Sequence, residues 1–435
     1  MVPAEINRTD PSVLLSTLAD IIAGVPHGQS VGLLVLHIEN FDRLVSAFGH
    51  RMGNGVLGAF ATRLKETIRT RDTILRFSDS KFAIIVNGVH NEGHLVLAAN
   101  KISQIFERPI PIGTNNITAT LRCGISMSPE HATNPEDLLQ HAETALLSAV
   151  GNDTTYELYT QAQSDEILDA LGLEIELDMA IKRGEFELYY QPKMGAADLT
   201  PCGAEALIRW QNPKRGPISP EIFIPMADRT GRIEPVTSFV LNTALRQAAD
   251  WPRLWGDLSV SINVTPKVVE RIDLAGMVGS ALGMWDSAPE RLIVEITEGA
   301  IMANPQASFR VLSQLRNLGA HVSIDDFGTG YSSLAYFKNI PADELKIDKS
   351  FVISMLEDAG DRQIVEAILE LARSFGLAVT AEGVEDQRTA TELRSMNCDR
   401  LQGYYYSRPL PQQEFVSWLK SYRPEAAPQN RRAGV

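Results

Sequence analysis

The first part of the chain alternates strand-like apolar runs with segments of helical spacing. Strands are predicted at residues 31–38, 73–77, 81–86 and 118–127. Helices are predicted at residues 42–66, 95–106 and 135–150. Ser78, Asp79 and Ser80 separate the second strand from the third, and this composition is typical of a tight hairpin turn. The pattern therefore predicts an α+β unit over residues 1–162.

A helical linker is predicted after this unit. The sequence Gly151-Asn152-Asp153 interrupts the preceding helix, and the stretch from Ser164 to Arg183 again has helical spacing. Its apolar residues Ile167, Leu171 and Ile175 fall four apart, on one face of a helix. We assign residues 163–184 to this linker.

The second part of the chain holds a different repeat, in which short apolar runs are separated by segments long enough for a helix. The runs are residues 186–191, 203–210, 258–264, 292–297, 321–327, 344–348, 378–384 and 401–407. Strands that alternate regularly with helices are typical of an α/β barrel. We predict such a barrel over residues 185–422, followed by a disordered tail at 423–435.

Polar side chains lie within these runs or just beyond them. They are Gln191, Glu205, Asn263, Glu295, Asp325, Asp326, Lys346, Asp348, Glu382 and Gln402. The carboxyl ends of barrel strands meet at one mouth, where barrel enzymes hold their catalytic groups. A single carboxylate there could be an ordinary solvated loop residue, but so many buried charges need counter-ions. The pattern therefore indicates bound cations.

The candidate ligands offer oxygen atoms only, which favours Mg²⁺ or Mn²⁺ over zinc. Adjacent Asp325 and Asp326 suit a bridge between two ions ~3.5–4 Å apart, a pair that can clamp a phosphate and activate water. Lys346 could orient or deprotonate that water if its pKa is lowered, or could simply form an ion pair with Asp348. Arg209, on the same strand face as Glu205, could contact a phosphate.

Composition excludes several other classes of protein. The 435 residues include 40 Lys plus Arg and 54 Asp plus Glu, a net charge of −14, without a basic cluster. This argues against binding to duplex DNA or RNA or to an anionic membrane. Three dispersed cysteines fit neither a disulfide framework nor a thiolate zinc site. No apolar run reaches the ~18 residues of a membrane span, so we expect a cytoplasmic protein without a transmembrane segment.

Seven ordered motifs in the second part resemble those of one known family. They read EALIRW, SINVT, VEITE, DDFGTGYSSL, LKIDKSF, AEGVE and QGYYYSRP. In this order and spacing they closely resemble the EAL family of cyclic di-GMP phosphodiesterases, from about Gly172 to Leu419. The resemblance implies a modified (β/α)8 barrel of the TIM type with one antiparallel strand. It also implies hydrolysis of cyclic di-GMP to linear pGpG with two Mg²⁺ or Mn²⁺ ions.

The same resemblance implies roles for individual residues. One metal ion is assigned to Glu205, Asn263, Glu295 and Asp325. The second is assigned to Asp325, Asp326 and, directly or through water, Glu382. Catalytic roles are assigned to Glu205, Glu382 and Lys346, of which Lys346 activates the water. Substrate contacts are assigned to Gln191, Leu207, Arg209, Asp348, Glu385 and Gln402. Glu298 is assigned as the anchor of the DDFGTG loop, which its glycines suit to a mobile lid.

The first part resembles the GGDEF domain of diguanylate cyclases, with substitutions at its functional positions. Ser78 and Asp79 replace the two glycines of the signature turn, and Lys81 replaces an acid. His37 and Ser80 stand at the metal-ligand positions, and Val45 and Asn54 stand at the guanine-binding positions. We therefore predict a degenerate domain without cyclase activity, which regulates the barrel.

The sequence Arg69-Thr70-Arg71-Asp72 matches the family's RxxD inhibitory site for cyclic di-GMP, although it could also be a solvated helix end. The resemblance further implies a homodimer or higher oligomer, and a protein partner could bind the first domain.

Three functions remain open from sequence. The barrel could hydrolyse cyclic di-GMP, bind it without turnover as a receptor or scaffold that signals through a protein partner, or belong to an active cyclase. Because every metal ligand of the family is present, hydrolysis is favoured over the receptor. The substitutions in the first domain oppose the cyclase.

Overall fold

The computed structural model describes residues 6–26, 28–112, 115–329 and 339–424. The chain divides into two compact units, Met1–Gly172 and Leu173–Val435. The division falls inside the predicted linker. That segment is a single helix, Gln161–Arg183, which begins three residues before the predicted Ser164.

The first unit is an α+β domain around a five-stranded sheet. The strands of this unit are β1 (Ser30–Ile38), β2 (Thr73–Arg76), β3 (Lys81–Val89), β4 (Ile110–Ile112), β5 (Asn115–Ile117), β6 (Leu121–Ser128) and β7 (Tyr156–Leu158). Its helices are α1 (Pro11–Gly24), α2 (Phe41–Phe48), α3 (His50–Thr67), α4 (Glu92–Phe106) and α5 (Pro135–Gly151). The five strands follow the order β2-β3-β1-β6-β7, and β4 pairs with β5 in a separate hairpin.

Strand β1 supplies both faces of this sheet because successive side chains point to opposite sides. Leu34 and Leu36 pack with the helices α3 and α4, whereas Leu33 and Val35 pack with α1 and α5. An apolar layer therefore lies on each face. This explains why 31–38 is an almost continuous apolar run.

The first unit differs from its prediction in several details, one of which is helix α1, which was not predicted. The predicted helix 42–66 is broken into α2 and α3 at Gly49, whose φ of +82° ends the first helix. The predicted strand at 118–127 begins at Leu121, and the β4–β5 hairpin before it was not predicted. Short three-residue strands have too few positions to show a period of two.

The second unit begins at Leu173, inside helix α6 (Gln161–Arg183). Its strands are β8 (Phe186–Gly195), β9 (Pro201–Asn212), β10 (Gly216–Ile218), β11 (Ser259–Val264), β12 (Leu292–Thr297), β13 (His321–Phe327), β14 (Glu344–Ile347), β15 (Ala378–Ala381), β16 (Arg400–Gln402) and β17 (Leu410–Pro411). Its further helices are α7 (Pro220–Thr230), α8 (Ile233–Ala249), α9 (Pro266–Arg271), α10 (Leu274–Met284), α11 (Glu298–Ala303), α12 (Pro305–Asn317), α13 (Lys349–Ser354), α14 (Ala359–Phe375), α15 (Gln387–Ser395) and α16 (Gln412–Ser421). A 3-10 turn spans Pro289–Arg291.

Eight of these strands close into a barrel. They follow the order β9-β11-β12-β13-β14-β15-β16-β8, and β8 also pairs with β9. Strand β8 is antiparallel to both neighbours, whereas the strands from β9 to β16 pair in parallel. The structure thus confirms the predicted modified barrel with one antiparallel strand, preceded by an α+β domain.

Apolar side chains on the helices cover the outside of the barrel. Helix α8, for example, buries Val240, Leu241, Ala244, Leu245 and Ala248 at helical spacing. Side-chain caps at Thr297, Asp348 and Asp386 begin the helices that follow β12, β14 and β15. The mouth is therefore built on rigid elements.

The last two barrel strands are shorter than predicted. Strand β15 ends at Ala381, so that Glu382 follows the strand, and β16 covers only the beginning of the predicted run 401–407. Residues 404–406 form a turn, and Gly403 before them lies so close to the backbone of Val384 that a Cβ would come within 2.0 Å of the Val384 oxygen. The predicted lid beyond Thr329 and the predicted tail beyond Pro424 lie outside the described residues.

Candidate active site

The barrel mouth gathers its acidic side chains around one lysine. Lys346 on β14 is 1% exposed. Its Nζ lies 2.6 Å from Glu295 Oε2, 2.6 Å from Glu382 Oε1, 3.0 Å from Asp325 Oδ1 and 3.8 Å from Glu205 Oε2. These partners come from β9, β12, β13 and the end of β15. Closure of the barrel therefore brings together residues that are up to 177 positions apart in sequence.

These ion pairs keep Lys346 protonated. Burial disfavours the ammonium form, but the surrounding carboxylates outweigh it and raise the pKa of Lys346 well above its ordinary value. This is opposite to the lowering that would make Lys346 a base. Asp348, the alternative partner considered from sequence, instead caps helix α13 by accepting a hydrogen bond from the Ser350 N–H at 2.9 Å.

Glu295 is the most enclosed of the carboxylates, with no exposed surface. Each of its oxygens accepts a hydrogen bond from a different lysine, Oε1 from Lys193 at 2.5 Å and Oε2 from Lys346 at 2.6 Å. Burial alone would raise the pKa of Glu295, but the two ammonium groups outweigh burial and lower it to about 2. Glu295 is therefore held ionised.

A second acidic group lies beside the first. One oxygen from each of Asp325, Asp326 and Glu382 lies within 4.8 Å of the other two. Burial raises the pKa of Glu382 to about 8, against the opposing effect of Lys346. Burial and the nearby charge of Asp348 also raise the pKa of Asp326. Protons and cations would therefore compete for these oxygens.

Asp326 has an unusual backbone conformation, with a φ of +53°. Few residues other than glycine adopt this left-handed region, and asparagine and aspartate are the common exceptions. The N–H of Asp326 donates a hydrogen bond to Oδ1 of the preceding residue, Asp325, at 3.0 Å. Strain of this kind is typical of functional sites, where the surrounding structure holds it.

Amide side chains line the other side of the mouth. Asn263 donates to Glu205 Oε1 at 2.6 Å, and Gln402 donates to Glu205 Oε2 at 2.6 Å and to Gln191 Oε1 at 3.0 Å. Burial raises the pKa of Glu205, although Lys346 opposes the shift. Amide groups thus fix the orientation of the Glu205 carboxylate, whereas lysines fix that of Glu295.

The loop after β13 is attached to helix α11, which follows the neighbouring strand β12. Glu298, the first residue of α11, accepts a hydrogen bond through Oε2 from the Gly328 N–H at 3.1 Å. Gly328 has a φ of +101°, and a Cβ there would lie 3.1 Å from Phe351. A larger residue would therefore strain the turn and press on α13.

Two cavities flank Leu207 at the rim. One, of about 360 Å³, is lined by the acidic mouth together with Gln191, Glu385 and Tyr404. The other, of about 310 Å³ and mainly apolar, includes Arg209. The Arg209 guanidinium carbon lies 5.5 Å from the Tyr189 ring centre, and its Nη1 donates to the Ile208 carbonyl at 2.8 Å. Arg209 is thus positioned at the rim by its own strand and by β8.

The residues of the mouth fit divalent cations that prefer oxygen ligands. Asn263 and five carboxylates gather at the mouth. The carboxylates are Glu205, Glu295, Asp325, Asp326 and Glu382. Within the described residues, Lys193 and Lys346 form ion pairs with members of this group, so negative charge is in excess when all five are ionised. Mg²⁺ and Mn²⁺ bind through carboxylate and amide oxygens, and such ions would offset this excess. The donor set contains neither the His nor the Cys that zinc favours.

The signature turn of the first unit is filled by its own side chains. Ser80 Oγ hydrogen-bonds His37 Nδ1 at 3.2 Å, Lys81 pairs with Glu143 at 2.8 Å, and Asp79 pairs with Arg8 at 2.8 Å. Burial, reinforced by Lys81, lowers the pKa of His37. The charged groups of this turn are therefore paired with one another, in contrast to the excess of carboxylates at the barrel mouth.

Arg69 and Asp72 belong to the turn after α3. Asp72 accepts hydrogen bonds from the backbone N–H groups of Arg69 at 3.3 Å and Asn87 at 3.2 Å, so it has a structural role in that turn. Both residues also line a cavity of about 220 Å³ with Arg71, His94 and Lys101. Val45 packs near Gly53, and Asn54 lines a separate cavity with Arg8 and Arg76.

Comparison with known proteins identifies both units. The family described as "EAL domain" matches residues 174–409, more than half of the 435-residue chain. The chain belongs to the EAL domain family. A second family, described as "Diguanylate cyclase, GGDEF domain", matches residues 12–153, so the two domains stand in tandem.

Named relatives cover both domains of this EAL protein. It is 32% identical over 405 residues to the cyclic di-GMP phosphodiesterase NbdA of Pseudomonas aeruginosa, covering 92% of this chain and 51% of NbdA. It is 28% identical over 395 residues to the cyclic di-GMP phosphodiesterase PdeR of Escherichia coli, covering 91% and 60%. The chain thus spans about half to three-fifths of these relatives' length.

A solved structure resembles the EAL barrel. The PaMucR phosphodiesterase in complex with c-di-GMP is 38% identical, with a TM-score of 0.53, and the match covers 57% of this chain and 99% of that one. No helix in the described part of the chain is both long and apolar enough to cross a membrane.

The structure brings most of the predicted site residues to one mouth. The residues that meet there are Glu205, Asn263, Glu295, Asp325, Asp326, Lys346, Glu382, Gln191 and Gln402. Those that lie at its rim or beside it are Leu207, Arg209, Glu385 and Asp348. The remaining two, Arg69 and Asp72, lie in the other unit. Sequence reasoning missed Lys193. Lys193 follows Gln191 by two positions, which puts both side chains on the inner face of β8, and this spacing could have indicated it.

Proposed function

We propose that the EAL barrel hydrolyses one phosphodiester bond of cyclic di-GMP to give linear pGpG, with two Mg²⁺ or Mn²⁺ ions. The observation that carries the proposal is the approach of Asp325, Asp326 and Glu382 oxygens to within 4.8 Å, beside the carboxylates that surround Lys346. The names of NbdA and PdeR, and the c-di-GMP in the PaMucR structure, support the choice of substrate.

Two sets of residues would hold the ions. We assign Glu205, Asn263, Glu295 and Asp325 to one ion, and Asp325, Asp326 and Glu382 to the other. Asp325 would then be shared. When bound, divalent ions of this kind neutralise phosphate charge and lower the pKa of water.

The product defines which bond breaks. Because pGpG has its terminal phosphate at the 5′ end, the water oxygen adds to phosphorus while the bond from phosphorus to the 3′ oxygen breaks. The 3′ oxygen takes up a proton as it leaves. We assign to Lys346 the role of orienting the attacking water, since its raised pKa keeps Nζ a hydrogen-bond donor.

The rim would bind the rest of the dinucleotide. We assign Arg209 to a phosphate, because a guanidinium can donate two parallel hydrogen bonds to phosphate oxygens. Gln191, Gln402 and Glu385 would supply polar contacts, and Leu207 would supply an apolar one. Asp348 would act through Asp326, whose pKa it raises.

The GGDEF unit would regulate the barrel without cyclase activity. His37 and Ser80 place no carboxylate at the two metal-ligand positions of the family, and Lys81 is paired with Glu143, which supports this assignment. The cationic cavity beside Arg69, Arg71 and Lys101 would bind an anionic regulator such as cyclic di-GMP. A homodimer and a protein partner for this unit are further parts of the proposal.

Turnover of full-length protein tests the function. Purified protein with cyclic di-GMP and Mn²⁺ should produce pGpG, measured by liquid chromatography, and EDTA should stop it. Glu205→Gln should abolish turnover, whereas the exposed control Glu290→Gln should not change it. Binding of cyclic di-GMP without pGpG would instead identify a receptor.

A further inference from the structure

Lys193 is a fully buried lysine that enters the barrel from the antiparallel strand β8. Its Nζ donates to Glu295 Oε1 at 2.5 Å and to Ser261 Oγ at 2.8 Å, and it lies 3.5 Å from Glu344 Oε1. A buried lysine is costly unless it is paired, so these contacts determine where its ammonium lies.

Glu295 is placed between two lysines that differ in their surroundings. Lys346 contacts Glu382 and Asp325 as well as Glu295, so it belongs to the mouth. Lys193 contacts Ser261 and Glu344, and neither of these is among the candidate metal ligands. The Lys193 contact therefore uses one oxygen of Glu295 and directs the other, Oε2, toward the mouth.

The polar layer behind Lys193 holds it in place. Glu344 accepts hydrogen bonds from Thr380 Oγ1 at 3.0 Å and from Ser323 Oγ at 3.3 Å. Glu344 also forms an ion pair with Arg400 through its other oxygen. These contacts come from β13, β15 and β16, so the position of Lys193 is tied to three other strands of the barrel.

We propose that Lys193 is a positioning residue that holds Glu295 ready to bind a divalent cation. The proposal rests on the proposed function, because it takes Glu295 to be a metal ligand. The ion pair and hydrogen bond from Lys193 hold the Glu295 carboxylate in this orientation. Without Lys193, Glu295 loses the partner of Oε1 and can turn both oxygens toward Lys346, away from the arrangement that a cation needs. Outer contacts to metal ligands of this kind typically change metal affinity or activity by ~10–100-fold when they are removed.

A purely structural role for Lys193 predicts a different result. In that case the lysine would serve only to neutralise Glu344 and fill the barrel, and its loss would lower stability without a particular effect on cation binding. Glu344→Gln is the matched control, since it removes a buried charge from the same layer, while its amide oxygen can still accept from Lys193 and the Lys193–Glu295 contact stays in place.

The test compares Mn²⁺ binding to full-length wild type, Lys193→Met, Lys193→Arg and Glu344→Gln. Free Mn²⁺ is counted by electron paramagnetic resonance, without substrate, and Tm is measured for each protein. We expect Lys193→Met to weaken Mn²⁺ binding by about tenfold or more. Lys193→Arg should restore part of the loss, because it retains the charge. Glu344→Gln should lower Tm with less than about a threefold change in Mn²⁺ affinity, below the range expected for a lost outer contact.

Wild-type Mn²⁺ affinity in folded Lys193→Met would overturn the proposal, as would equal losses in Lys193→Met and Glu344→Gln. If Lys193→Met does not fold, Lys193→Gln takes its place, and unchanged affinity there has the same meaning. A wild-type protein that binds Mn²⁺ but forms no pGpG would contradict the proposed function alone. A wild-type protein that binds no Mn²⁺ would contradict both.

Discussion

The carboxylate of Glu298 accepts a hydrogen bond from the backbone N–H of Gly328 at 3.1 Å. This contact joins the start of α11 to the turn that follows Asp325 and Asp326. Glu298 is buried, so the bond is shielded from water. The contact therefore links the conformation of the acidic turn to the end of the neighbouring strand, β12.

Loss of the Glu298 contact should disturb cation binding more than stability. We expect Glu298→Ala to lower kcat/KM for cyclic di-GMP by about tenfold or more and to raise the Mn²⁺ concentration needed for half-maximal rate. Steady-state kinetics at several Mn²⁺ concentrations measure both effects. The exposed control Glu290→Ala should match wild type. An unchanged Mn²⁺ dependence in Glu298→Ala would separate Glu298 from the metal site.

The conformation of Asp326 allows charge and backbone strain to be tested separately. Asparagine tolerates the φ of +53°, whereas alanine does not have a side chain that stabilises it. Asp326→Asn should therefore lose activity at near wild-type stability. Asp326→Ala should lose activity and also about 1 kcal/mol of unfolding free energy. Urea denaturation and pGpG formation check the two effects, and equal stability of the variants would show that the turn is not strained.

Sequence and structure agree best at two parallel strands of the barrel. Strands β12 and β13 have the predicted bounds, whereas the run predicted at 401–407 is a strand only at its beginning. The partners of Lys346 could not be predicted, since a period of two indicates the face of a strand but not which opposite side chain it meets. Lys193 was missed because one lysine in an apolar strand resembles an edge residue until closure buries it.

The raised pKa of Glu382 predicts how stability depends on pH when cations are removed. Glu382 stays protonated in the folded protein up to about pH 8, whereas the unfolded chain releases the proton near its ordinary value of 4.5. The folded state therefore binds more protons between these values. The stability contributed by Glu382 is full below pH 4.5 and is lost as pH rises through 8.

Thermal denaturation in EDTA should therefore show a Tm that falls between pH 5 and 8. In Glu382→Gln this slope should be smaller, because one titrating group is gone. Mg²⁺ should raise the wild-type Tm more at pH 8 than at pH 6, since the cation competes with fewer protons. A slope in Glu382→Gln as steep as that of wild type would contradict the assignment of this pH dependence to Glu382.

The first unit should not convert GTP, because its described residues lack the group of carboxylates that the barrel mouth has. The barrel mouth gathers five carboxylates, whereas the signature turn of the first unit presents His37 beside Ser80 and a lysine in an ion pair with Glu143. We therefore expect full-length protein with GTP and Mg²⁺ to form no cyclic di-GMP or pGpG, measured by liquid chromatography. Lys81→Glu should also form none, because one acid cannot replace the ligand missing at His37. It should cost at most about 1 kcal/mol of stability, since the Lys81–Glu143 pair is partly exposed. Consumption of GTP with formation of either product by the wild-type protein would overturn the assignment of the first unit as inactive.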